Sequence, residues 1–142
     1  MRIADILRRK GSEVVTIRSD ATINDLLDLL AERRIGAVIV SDADGEVTGI
    51  VSERDIVRHA RDVTTRQDTV ARIMTADVVT CAPAEELESL ARVMTEKRFR
   101  HLPVVDEGRL VGIVSIGDVV KGRLDELQDE RDHLQAYVQS GS

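Results

Sequence analysis

The sequence is nearly without aromatic residues: only Phe99 and Tyr137 carry an aromatic ring, and tryptophan is absent from all 142 positions. A core must therefore be assembled from Val, Ile, Leu and Ala, and base-stacking platforms are missing. Cys81 is the single cysteine, which excludes an intrachain disulfide and a cysteine-based metal cluster. His59, His101 and His133 lie far apart and lack metal-ligand spacing. No apolar run is long enough to span a bilayer, and the first ten residues show no signal-peptide pattern. A soluble cytoplasmic protein with no membrane partner is the expectation. Excess positive charge is also missing. A net charge of −6 argues against a nucleic-acid face, yet leaves room for a small anion held by local arginines. With no nucleophile–base pair and no glycine-rich phosphate loop, neither an enzyme nor a catalytic cofactor is expected.

What the chain does have is an internal repeat. Val14-Val15-Thr16 matches Val78-Val79-Thr80 at an offset of 64, and Glu32-Arg33-Arg34-Ile35 matches Glu96-Lys97-Arg98-Phe99. Farther on the offset falls to 63, because the turn at 41–46 is one residue longer than its counterpart around Asp106-Glu107-Gly108. Each copy reads strand, helix, strand, turn, strand, helix. In the first, Val14–Ile17 is a short β-rich run, and Thr22–Arg33 has helical apolar spacing. Ala37–Val40 is a buried strand, Asp42–Gly45 a turn, Val47–Val51 the hairpin partner, and a second helix starts at Glu53. Pro103 is expected at the start or edge of its strand, where a missing N–H costs least.

The boundaries follow: one repeat over 1–61, a polar linker over 62–68, a second repeat over 69–122, and a C-terminal helix and tail over 123–142. Met1–Arg9 and Thr69–Met74 are short helical lead-ins. A copy of about 60 residues buries little surface, so two copies stacking their sheets are expected to share one core. In the tail, Val120, Leu124, Leu127, Leu134 and Val138 fall at alternating four- and three-residue steps interrupted by Arg131. That spacing fits a coiled-coil seam or an amphipathic helix packed on its own domain.

Both copies close on the same pattern, Gly49-Ile50-Val51-Ser52-Glu53-Arg54-Asp55 and Gly112-Ile113-Val114-Ser115-Ile116-Gly117-Asp118. A strand that enters a helix behind a serine leaves backbone N–H groups for an anion, and the Asp can accept from the two hydroxyls of a ribose. The same Ser-x-x-Asp is also a capping box that needs no ligand. Arg100 can equally be a solvated charge, and Gly36 a close-packing point.

Two βαββα copies closing on this motif, with His101-Leu102-Pro103-Val104-Val105 and the lead-in Ile73-Met74-Thr75, resemble a tandem pair of CBS domains (a Bateman module) over residues 1–122. The resemblance implies an α/β (α+β) fold of two repeats packed sheet to sheet with pseudo-two-fold symmetry, plus a C-terminal helix. The chain is expected to be a stand-alone regulatory module, with no room for a fused catalytic or transport domain. It implies binding, without chemistry, of AMP, ADP, ATP or an NAD-type ligand in clefts between the copies, and pairing as a homodimer that regulates a protein partner. Carried over, one site takes Val15, Ile35, Gly36, Ala37, Arg100, His101, Ile113, Ser115 and Asp118. The other takes Ile50, Ser52, Arg54 and Asp55, with Val79 and Phe99-Arg100-His101 from the second copy. The Asp118 site ranks first, because Arg100 and His101 supply its phosphate side. The competing reading is a ligand-free interaction module that recruits a partner through its surface or its C-terminal helix.

Overall fold

A computed structural model of the chain describes residues 1–61 and 66–141; positions 62–65 of the expected linker, and Ser142, lie outside the described residues. The first repeat contains β1 (Thr16–Ile17), α2 (Ile23–Arg33), β2 (Ala37–Val40), β3 (Gly49–Ser52) and α3 (Glu53–Arg58), preceded by α1 (Ile3–Lys10). A 3₁₀ turn at Val70–Arg72 leads to α4 (Leu87–Lys97), β4 (His101–Asp106), β5 (Arg109–Ser115) and α5 (Ile116–Ser140). Both copies are therefore variants of one βαββα plan, with a long final helix.

In the first repeat β1 runs parallel to β2, and β2 antiparallel to β3 with Ala37 opposite Ser52. In the second, β4 and β5 pair with His101 opposite Ser115. The strand expected at 78–80 is reduced to one parallel bridge, Cys81 to Val104. Pro103 explains the loss. It sits inside β4, not at its start, and occupies the position that Ile39 holds opposite Thr16 in the first repeat. Its carbonyl accepts the Cys81 N–H at 3.0 Å, so its own missing N–H faces the same neighbour and has nothing to donate.

The apolar interior is two clusters where sequence reasoning expects one. Ile23, Leu26, Leu30, Val38, Val40 and Val51 form one with Val70 and Ile73. Leu87, Leu90, Met94, Leu102, Val104, Val114 and Val119 form the other with Ile3 and Ile6. The lead-ins are thus exchanged: α1 completes the second repeat, and the segment around Val70 completes the first. Backbone bonds mirror the exchange, since Leu87 N–H donates to Met1 at 2.9 Å and Ile23 N–H donates to Asp68 at 2.8 Å. Each buried Ile or Val in these arms contributes about 1.5–3 kcal/mol, so the exchange is a main source of cohesion between the repeats.

Helix α5 packs on α4 at its base, where Val119 and Gly122 are buried. A Cβ at position 122 would lie 2.6 Å from Leu87 Cδ2, so this glycine lets two helices approach. Beyond the base, Leu124, Leu127, Leu134, Tyr137 and Val138 are all more than half exposed. The seam is open to solvent.

Candidate functional site

Each strand–helix junction is held by its own motif. The Ser52 N–H donates to Asp55 Oδ2 at 2.8 Å, and the Asp55 N–H returns to Ser52 Oγ at 3.3 Å. Ser115 and Asp118 repeat the pattern at 2.9 and 3.2 Å. Both are capping boxes. The helix that follows is also tied to the residue before the paired strand: Glu53 N–H donates to Gly36 and Ile116 N–H to Arg100. Hence Gly36 and Arg100 stand at the two serine-bearing junctions by construction.

The surroundings of the two junctions differ. Gly36, Ala37, Ile50, Ser52 and Asp55 line a cleft of about 670 Å³ whose far wall is Lys97, Arg98, Phe99, Arg100 and His101. That volume lies within the roughly 300–1,000 Å³ of small-molecule sites. A Cβ at Gly36 would meet only Glu53 Cδ at 4.0 Å, so the glycine leaves the cleft wide at that point. Arg54, Arg58, Lys97, Arg98 and Arg100 all line the cleft, and among the described residues none of the five forms an ion pair. Only Glu53 and Asp55 oppose them, giving a cationic cleft in a chain of net charge −6. His101 is half-buried here. Burial, helped by the nearby Lys10 and Arg100 charges and opposed by Asp118, holds its imidazole below the ordinary histidine pKa.

At the other junction Asp118 meets a side chain that the motif does not announce. Lys10 donates to Asp118 Oδ2 at 2.7 Å and to the Ile113 carbonyl at 3.0 Å. Burial works against ionisation of Asp118, but the Lys10 and Ser115 hydrogen bonds and the Lys10 charge outweigh it and keep the carboxyl below its usual range.

The residues assigned to the first site by resemblance are therefore distributed. Gly36, Ala37, Arg100 and His101 share the large cleft with Ile50, Ser52, Arg54, Asp55 and Phe99. Ile113, Ser115 and Asp118 gather around Lys10, and Arg100 and His101 adjoin this group too, Arg100 accepting the Ile116 N–H and His101 lying opposite Ser115. Val15 and Ile35 pack against the first repeat's buried cluster, and Val79 is exposed; none of the three lines the cleft. Sequence reasoning passed over Lys10, Arg58, Lys97 and Arg98. Their signals were a basic run at 8–10, an i, i+4 arginine pair at 54 and 58, and a basic run at 97–98 that meets Arg100.

Among the described residues no three His, Cys, Asp or Glu side chains form a metal-holding group, and no helix is long and apolar enough to cross a membrane. Burial, and to a smaller extent Glu85, pushes the Cys81 thiol up to about 12, so it is not a nucleophile at neutral pH.

Comparison with known proteins gives a consistent picture. A family model described as the CBS domain matches residues 3–62 and 70–125. The CBS domain-containing protein CBSX3, mitochondrial, of Arabidopsis thaliana is 30% identical over 149 aligned positions, covering 98% of this chain and 72% of that protein. Some curated relatives are much longer: the chain spans 39% of the uncharacterized protein MJ1225 of Methanocaldococcus jannaschii, at 32% identity over 76% of this chain. Among solved structures, the CBS-domain containing protein ATU1752 from Agrobacterium tumefaciens is 45% identical with a TM-score of 0.80, over 87% of this chain and 99% of that one. The CBS domain pair of MJ0100, solved with 5′-methylthioadenosine and S-adenosyl-L-methionine, is 26% identical with a TM-score of 0.77, over 89% and 98%. CBSX2, solved in complex with AMP, is 28% identical with a TM-score of 0.72, over 87% and 96%.

Proposed function

The chain belongs to the CBS-domain family as a pair of CBS repeats, and from that premise we propose that it is a sensor module for a phosphorylated adenosine ligand such as AMP, ADP, ATP or NAD. The principal site in this reading is the cleft between Ser52–Asp55 and Arg98–His101. The observation that carries it is the convergence of five basic side chains without ion-pair partners, a free-standing Ser/Asp junction and a cleft of about 670 Å³. Two related CBS pairs were solved with adenosine compounds, which supports the ligand class. Asp55 would accept from the ribose hydroxyls, while Ile50 and Phe99 offer apolar surface to the base. Arg98 and Arg100 would fork onto phosphate oxygens, with Arg54 and Arg58 opposite.

Such a ligand transmits information only by preferring one arrangement of the molecule over another. The arrangement proposed to respond is a homodimer paired along α5, whose exposed seam keeps the alternating spacing of Val120, Leu124, Leu127, Leu134 and Val138.

The test is thermal unfolding with adenosine, AMP, ADP, ATP and NAD. A ligand that binds the native state at a hundred times its Kd adds about 2.7 kcal/mol of stability and raises the melting temperature. The rise should disappear in Asp55→Asn and shrink in Arg98→Ala/Arg100→Ala. No rise with any of the five compounds would overturn the reading and return the ligand-free interaction module to first place.

A further inference from the structure

The two Ser/Asp junctions share their internal hydrogen bonds but not their neighbours. Among the described residues the side-chain bonding of Asp55 ends within the motif. At Asp118 the ammonium of Lys10, the last residue of α1, bridges the carboxylate and the Ile113 carbonyl across more than a hundred residues of sequence. The counterpart of Ile113 in the first repeat is Ile50. Its carbonyl accepts the backbone N–H of Thr75 at 2.8 Å, a neutral donor that brings no side-chain cation to Asp55. The asymmetry extends to space. Asp55 lines a cleft of about 670 Å³ at its strand–helix junction, whereas the cavity that Asp118 lines lies between α1 and α5, bounded by Arg9, Lys10, Lys121 and Asp125, and holds about 100 Å³. A nucleotide needs several times the smaller volume.

Energetics point the same way. Both a ribose hydroxyl and the Lys10 ammonium would donate to an ionised acceptor, but only the ammonium also brings the opposite charge. The pair is shielded as well, with side chains 33% and 23% exposed. A sugar arriving at Asp118 would have to break an ion pair and leave a partly buried ammonium without its anion.

We propose that Lys10 is a tethered occupant of the Asp118 half-site, so that each chain takes one nucleotide, in the Asp55 cleft, and a second site opens only when Lys10 is withdrawn. Lys10 is thereby a specificity-determining residue that sets how many ligands the module holds. The choice of nucleotide as occupant rests on the adenosine reading above.

Calorimetric titration of the full chain with ATP, and separately with AMP, tests it in four proteins. Wild type and Lys10→Arg should bind one equivalent per chain. Lys10→Met should bind two, and Lys10→Met/Asp118→Asn should return to one. A cooperative thermal transition in the absence of ligand would show that the variants are folded. Two equivalents in wild type, or equal stoichiometry in wild type and Lys10→Met, would overturn the proposal. If wild type binds neither nucleotide, the reading of the Asp55 cleft fails on its own. Lys10 is then judged by whether Lys10→Met gains one binding event that Asp118→Asn removes: a gain supports the tether, and its absence overturns it.

Discussion

Gly112 of β5 gives up its side-chain space to Leu7 of α1: a Cβ at position 112 would lie 2.6 Å from Leu7 Cδ2. Gly49, its counterpart in β3, yields to the Thr75 carbonyl and to Met74, whose O and Sδ would lie 2.7 and 2.9 Å from the added carbon. The exchanged arms are therefore seated on glycines. Gly112→Ala should destabilise the protein by about 1–3 kcal/mol through overpacking. Adding Leu7→Ala should return part of that loss, giving a non-additive double-mutant cycle in urea denaturation. Additive effects would show that the two positions do not share space.

Arg34 and Arg98 end α2 and α4 in the left-handed region, at φ 54° and 58°. A glycine there relieves the Cβ–carbonyl clash, so Arg34→Gly should stabilise by roughly 0.5–1 kcal/mol after the extra unfolded-chain entropy is counted. Arg98→Gly should stabilise similarly but weaken nucleotide binding, because only Arg98 lines the cationic cleft. Melting temperature should rise in both variants, while affinity should hold in the first and fall in the second.

His101 is neutral in the native chain at pH 7, because burial holds its pKa below the ordinary value. A phosphate placed beside it favours the imidazolium and raises that pKa. Between the free and bound values the complex binds a proton that the free protein lacks, so affinity should rise as pH falls through that window. Titration in buffers of different ionisation enthalpy should reveal proton uptake on binding at mildly acid pH, absent in His101→Gln. Proton release would contradict this placement of the phosphate.

Arg131 holds the interrupted position of the α5 seam. Parallel pairing in register would set Arg131 against its own copy, a like-charge contact in an apolar row, whereas antiparallel pairing separates the two. Leu127→Glu should weaken self-association at least tenfold, about 1.4 kcal/mol, in analytical ultracentrifugation. Labels at residue 138 of paired chains should lie far apart. Close labels would indicate parallel pairing, and a monomeric wild type would remove the seam from the proposed response.

Much of this was legible in the chain. Thr22 was readable as the start of α2, and it caps Asp25 N–H at 3.0 Å. Ala37–Val40 was readable as a strand buried on both faces, and all four residues are buried. Periodicity marks the apolar face of an element but not the partner that covers it. The exchange of lead-ins was therefore hidden, although Ile3, Ile6, Val70 and Ile73 were visible as apolar positions. The missing strand beside β4 follows from Pro103, but only once its neighbour is known. Lys10 was hidden for a related reason: an ammonium on a flexible stem leaves no spacing signature relative to a carboxylate in the other half of the chain.

Because each repeat wears the arm of the other, neither is a body that can be lifted out whole. A single copy produced alone would lack its clasp, and could recover one only by meeting a second copy and trading arms with it. The covalent duplication thus makes permanent a handshake that separate halves would have to find by diffusion.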